Sequence, residues 1–128
     1  MTVVIAYSAD EFGRAAVEQG AAEAARGGDR VVVVNVTRGD SLVDERYAGK
    51  ADAESLRARL AALPVEAELR QSMSPDVADE ILGVAEREGA RLIVVGIRRR
   101  TPLGKMIMGS VAQRVILEAA CPVLAVKP

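Results

Sequence analysis

Four apolar runs punctuate the chain: Val3-Val4-Ile5-Ala6-Tyr7, residues 31–36, Leu92-Ile93-Val94-Val95 and Val123-Leu124-Ala125-Val126. Each is short, rich in β-branched residues and continuous, the pattern of strands buried on both faces of a parallel sheet. A fifth run, Val65-Glu66-Ala67-Glu68-Leu69, alternates apolar with charged positions and predicts an edge strand with one wet face.

Between these runs the period becomes helical. Asp10 is placed to cap a helix reaching to about Arg26, with Gly27-Gly28 as its stop. Leu56, Leu60 and Leu63 share one face of a second helix, ended by Pro64. Ser74-Pro75 reads as an N-cap followed by proline in the first helical position; Val77, Ile81, Leu82 and Ala85 then form a core stripe closed by Gly89. Ser110-Val111-Ala112-Gln113 has the form of a capping box, followed by Val111, Val115, Ile116 and Ala119 on one side. Residues 37–50, rich in Gly, Asp and Arg, predict a long mobile loop.

The element order is therefore βαβαβαβαβ, without repeats, low-complexity tracts or a dividing linker. One domain over residues 1–128 is expected, with right-handed crossovers and a doubly wound parallel sheet. Five strands allow order 3-2-1-4-5 or 2-1-3-4-5. Ligands in such folds bind beyond the carboxyl ends of the strands at the switch point. In the first order that point lies between Tyr7-Ser8 and Val95-Gly96.

Composition narrows the chemistry. The 128 residues include 17 basic and 18 acidic side chains, no His and one Cys. Balanced charge argues against broad nucleic-acid or acidic-membrane binding, and no apolar run is long enough to span a bilayer. A membrane-free, cytoplasmic protein is expected. Without His there is no Ser-His-Asp or Cys-His dyad and no imidazole metal ligand; no metal site is expected. Cys121, between Ala119-Ala120 and Pro122, reads as a small buried residue.

Residues 96–110 hold the most distinctive chemistry. Four cations (Arg98, Arg99, Arg100 and Lys105) and three glycines (Gly96, Gly104 and Gly109) converge on the N-terminus of the last helix. Free helical N–H groups and the positive end of the helix dipole favour an anion there, and Gly109-Ser110 lets phosphate oxygens approach the backbone. A Walker A loop does not fit, because Arg99 stands where its first Gly belongs and Met106 follows Lys105. The first strand-to-helix turn, residues 8–13, lacks Gly-x-Gly-x-x-Gly.

The βαβαβαβαβ plan, the stretch Gly109-Ser110-Val111-Ala112-Gln113-Arg114-Val115 and the ending Cys121-Pro122-Val123-Leu124-Ala125-Val126-Lys127 resemble the universal stress protein (UspA-like) family along the whole chain. The resemblance implies strand order 3-2-1-4-5 in an adenine nucleotide alpha hydrolase-like, Rossmann-like three-layer sandwich. The family's ATP-binding members carry G-x2-G-x9-G-[S/T] after strand 4. Gly96 and Gly109-Ser110 match that pattern at the right spacing, while Arg99 replaces its middle Gly. The family's Asp-Gly pair after strand 1 is replaced by Ser8-Ala9, and Val36 falls where the family offers backbone atoms to adenine.

The resemblance thus implies a stress-response sensor or regulator that binds ATP, with or without magnesium. Tyr7, Ser8, Ala9 and Val36 would lie near ribose and base. Gly96, Arg98, Arg99, Lys105, Gly109, Ser110, Val111 and Ala112 would lie near the phosphates. The alternative is a dimer that binds no nucleotide and works through protein partners, its phosphate site filled by Arg98, Arg99 and Arg100. The possible bases and nucleophiles, Asp10, Glu11 and Ser110, have no activating partner visible in sequence, so no enzyme beyond slow residual ATP hydrolysis is expected. Val123, Leu124, Ala125 and Val126 form an apolar sheet edge that would need a partner; family members commonly dimerise there, and a homodimer through this strand is expected.

Overall fold

A computed structural model describes residues 1–39, 43–98 and 108–128. The elements run β1 (Thr2–Ala6), α1 (Glu11–Gly27), β2 (Arg30–Thr37), α2 (Lys50–Ala61), β3 (Ala67–Met73), α3 (Val77–Arg87), β4 (Ala90–Gly96), α4 (Ser110–Glu118) and β5 (Val123–Val126). The five strands form one parallel sheet in the order β3-β2-β1-β4-β5, the first of the two orders that the pattern allowed.

Continuous apolar strands are required because helices cover both faces. Val3, Ile5, Val31, Val33 and Val94 pack against Ala16 and Val17 of α1 and Leu56 and Leu60 of α2. Val4, Val32, Val34, Ile93 and Val95 pack against Ile81 and Val84 of α3 and Val115 of α4. β3 is the edge that alternation foretold, though displaced to later residues. Ala67 and Leu69 pack on the first core, while Glu68 and Arg70 meet Arg30 and Glu88 in ion pairs of 2.5–2.9 Å on the other face.

Several local expectations are corrected. The cap of α3 is Asp76, whose side chain accepts from the Asp79 N–H at 3.1 Å; Pro75 stays outside the helix. Ser74 instead closes a turn, its hydroxyl donating to the Asp76 carbonyl and accepting from the Asp76 N–H. Leu63 packs on the core from beyond the end of α2. In α4 the cap is Gly109 and Ser110 is the first helical residue, so the capping box does not form. Ala112 and Val115 are the buried residues of that helix, and Ile116 turns outward. Cys121 is half-buried beside the second core, and burial pushes its thiol pKa up.

The described part of residues 37–50 is fastened, in contrast to the mobile loop expected. Asn35 holds it by all four bonds that its amide can make. Its Nδ2 donates to the carbonyls of Tyr7 (2.9 Å) and Arg46 (3.1 Å), and its Oδ1 accepts from the Ala48 N–H (2.7 Å) and Gln71 Nε2 (3.2 Å). Asp44 adds an acceptor for Thr37 Oγ1 at 2.8 Å and for the Arg46 N–H at 3.0 Å.

Candidate functional site

The carboxyl ends of β1 and β4 lie side by side, and their chains leave on opposite faces of the sheet, β1 into α1 and β4 towards α4. A cleft of about 700 Å³ opens at that point, within the range of small-molecule sites. Its floor and walls include Ser8, Val36, Ile81, Gly96, Gly109 and Ser110.

One end of the cleft presents bare backbone. The Val31 N–H donates to Glu66 and the Thr37 carbonyl accepts from Ser74, so the odd-numbered residues of β2 turn their polar groups to β3. The Arg30 N–H donates to Met1 and the Val34 carbonyl accepts from Tyr7, so the even-numbered residues face β1. Val36 is the next even residue, and β1 has by then turned away into α1. Its N–H and C=O point side by side to where a β1 residue would have continued the ladder.

The other end is the start of α4. Gly109 adopts φ 88°, a conformation that disfavours side chains, and no atom of the described residues crowds the place of a Cβ. Among the described residues the helix has no side-chain cap, and the N–H groups of Ser110, Val111 and Ala112 have neither an intrahelical acceptor nor a capping one there. All three residues line the cleft. Gly96 is constrained differently: a Cβ there would lie 2.3 Å from the carbonyl oxygen of Phe12, so α1 itself excludes any side chain at this position.

The remaining predicted residues divide. Ser8 lines the cleft, and its hydroxyl donates to Asp10 Oδ1 at 2.7 Å, the same oxygen that caps α1 by accepting the Gly13 N–H. Tyr7 borders the cleft, but its hydroxyl donates to Asp52 and its ring joins the first core. Ala9 is not brought into the site; its N–H donates to the Arg46 carbonyl at 2.9 Å and its methyl packs on the first core. Arg98 stands exposed at the rim, its guanidinium 5.8 Å from the centre of the Phe12 ring. Arg99, Arg100 and Lys105 lie outside the described residues. Of the possible bases and nucleophiles, Asp10 is spent as a cap, Glu11 lies outside the cleft lining, and Ser110 hydrogen-bonds no base among the described residues.

Sequence reasoning missed Asn35, which fixes the end of β1 to the segment beyond β2, and Phe12, Arg38 and Arg46 on the cleft rim. A lone polar residue inside the apolar run Val31–Val36 was the available signal for Asn35. At the outer edge of the sheet, β5 pairs with β4 alone, leaving Leu124 and Ala125 exposed. Among the described residues no helix is long and apolar enough to cross a membrane, and no three Asp, Glu or Cys side chains gather as a metal site.

Comparison with known proteins gives a consistent answer. The family model described as "Universal stress protein family" matches residues 1–127. A "Universal stress protein" of Mycolicibacterium smegmatis is 47% identical over 126 residues, covering 98% of this chain and 97% of that one. Among solved structures, a universal stress protein from Archaeoglobus fulgidus superposes with a TM-score of 0.82 at 30% identity, covering 99% of this chain and 98% of that one. Another structure from Archaeoglobus fulgidus, a universal stress protein in complex with dAMP, superposes with a TM-score of 0.73 at 25% identity and the same coverage.

Proposed function

The chain belongs to the universal stress protein family, and we propose that it works there as an adenine-nucleotide binder, with ATP as its ligand in the cleft between β1 and β4. The observation that carries this reading is the pair of polar backbone groups on Val36 at the end of β2. Adenine carries an acceptor, N1, beside a donor, its 6-amino group, and an N–H next to a C=O answers both. At the opposite end, the uncapped first turn of α4 supplies N–H groups and a positive dipole end for phosphate. The Archaeoglobus fulgidus relative solved with dAMP supports the same class of ligand.

In this reading Val36 holds the base, and Ser8 and Tyr7 border the ribose. Gly96, Gly109, Ser110, Val111 and Ala112 surround the phosphates, with Arg98, Arg99 and Lys105 supplying charge through side chains. The protein acts through the bound state and not through turnover: no group among the described residues activates Ser110 or a water. It is a single-domain cytoplasmic protein that pairs with a second copy along the exposed edge of β5.

One observation favours a second reading. Arg98 already rests on the Phe12 ring at the cleft rim without a carboxylate partner among the described residues, so arginines of this segment could occupy the phosphate position themselves. Isothermal titration of nucleotide-stripped protein with ATP, ADP and AMP, with and without magnesium, separates the two. Micromolar ATP binding that weakens as phosphates are removed, and weakens again in Arg99→Ala, supports the nucleotide reading. No heat up to millimolar ATP, or binding that emerges only in Arg99→Ala, supports the filled site.

A further inference from the structure

Helix α4 carries the phosphate-facing N–H groups, and its apolar packing is a short stripe: Ala112 and Val115 in the second core, with Val111 and Ala119 against it. The helix has nine residues, and only Ala112 and Val115 are fully buried. Ile116, Leu117 and Glu118 face outward, and its N-cap is a glycine without a side chain to anchor it. Beside that apolar contact, Arg114 ties this helix to α3 by polar bonds. Its Nη1 donates to both carboxylate oxygens of Asp76 at 2.8 and 2.6 Å, its Nη2 to Asp79 Oδ1 at 2.6 Å, and its Nε to Glu118 Oε2 at 2.8 Å. One guanidinium thus meets three carboxylates on two helices, using the forked donor geometry that a lysine lacks.

The partner on α3 is not an arbitrary surface acid. Asp76 caps α3 by accepting the Asp79 N–H, so the clamp grips that helix at its first turn. The first turn of α3 also reaches the cleft, through Val77, and Ile81 follows it one turn later. The clamp therefore fixes the start of α3 and the middle of α4, two helices whose N-terminal ends both wall the site.

We propose that Arg114, acting through Asp76 and Asp79, is a positioning residue for nucleotide binding: it aims the first turn of α4 at the phosphates without touching the ligand. This rests on the nucleotide reading given above. A displaced helix N-terminus costs affinity steeply, because its N–H groups act through short directional bonds and a dipole that fades within one turn. The base and ribose end, built on β1 and β2, does not depend on the clamp.

The test compares ATP with adenosine, each titrated into wild type, Arg114→Ala, Arg114→Lys and Asp76→Asn, with binding followed by amide NMR shifts. Asp76→Asn retains a good helix cap while removing the charge that Arg114 grips. Expected are ATP dissociation constants raised by about tenfold in Arg114→Ala and less in Asp76→Asn and Arg114→Lys, with adenosine changed by less than about twofold. Amide exchange at Ser110, Val111 and Ala112 should quicken in Arg114→Ala while β1 and β2 keep their protection. Equal loss of ATP and adenosine binding, or an unchanged ATP constant in Arg114→Ala, would overturn the assignment. Absence of ATP binding in the wild type would instead overturn the nucleotide reading, and this inference with it.

Discussion

The hydroxyl of Tyr7 donates to Asp52 Oδ2 at 2.9 Å, joining the residue after β1 to the first turn of α2 across 45 positions of sequence. Burial, and then the bond and charge of Asp52, push the Tyr7 pKa from 10.0 up to about 12. The folded state thus holds this proton more tightly than the unfolded chain. The corresponding stability is complete below pH 10 and disappears as pH rises through about 12. Absorbance titration of tyrosinate in the native protein should show Tyr7 ionising near the upper end of that window. Asp52→Asn should lower its midpoint, and an unmoved midpoint would remove Asp52 as a cause.

Asn35 is the buried polar residue on which the cleft's architecture turns. Replacing it by Ala leaves the Tyr7 carbonyl and the Ala48 N–H short of a partner, at a cost of about 1–3 kcal/mol for such buried groups. Urea unfolding of Asn35→Ala should show that loss. Amide exchange should show the loss of protection concentrated at Ala48 and Ala9, where the segment beyond β2 is fastened. A variant as stable as the wild type would mean that water replaces the amide without penalty.

Gly96 answers to α1 whatever the ligand. A Cβ there meets the Phe12 carbonyl oxygen at 2.3 Å, and this backbone atom cannot rotate aside. Gly96→Ala should lose about 1–3 kcal/mol of stability in the absence of any nucleotide, as overpacking does. Full stability in urea would show that the start of α1 yields.

Asp29, buried between α1 and β2, accepts from Arg91 Nε at 2.9 Å and Nη2 at 2.5 Å, and these bonds hold its carboxyl below the ordinary 3.8. A depressed folded pKa gives stability that is present above pH 3.8 and is lost as pH falls through the folded value. Asp29→Asn should therefore be less stable than wild type at pH 6 and lose less on acidification below pH 3.8. Parallel acid limbs in the two proteins would assign the pH dependence elsewhere, such as Asp76 or Glu88.

The strands were legible because a helix-covered parallel sheet demands continuous β-branched runs, and Val31–Val34 or Leu92–Val95 have few other uses; the pattern allowed two strand orders, and only the family resemblance pointed to the one observed. The α1 cap at Asp10 was legible too, since one side chain and one N–H decide it. The caps of α3 and α4 were not. Ser74 and Asp76 are both good caps two residues apart, and only the turn that Ser74 closes assigns the role to Asp76. Ser110 looked like a cap because sequence cannot show that Gly109, at φ 88°, already ends the preceding chain. Of the site, Val36 and Gly109 could be placed from pattern and resemblance. The Arg114 clamp across the helices could not, because two of its three carboxylates, Asp79 and Asp76, lie 35 and 38 residues away in sequence.

In the proposed complex an adenine base pairs with Val36 while its phosphates meet the start of α4. Titrating isotope-labelled, nucleotide-stripped protein with ATP and following backbone amide shifts tests both contacts at once. Saturable shifts are expected at Val36, Gly96, Ser110, Val111 and Ala112, with GTP weaker by at least about tenfold because guanine in the same pose sets donor against donor. Shifts confined to other surfaces, or none up to millimolar ATP, would contradict that complex.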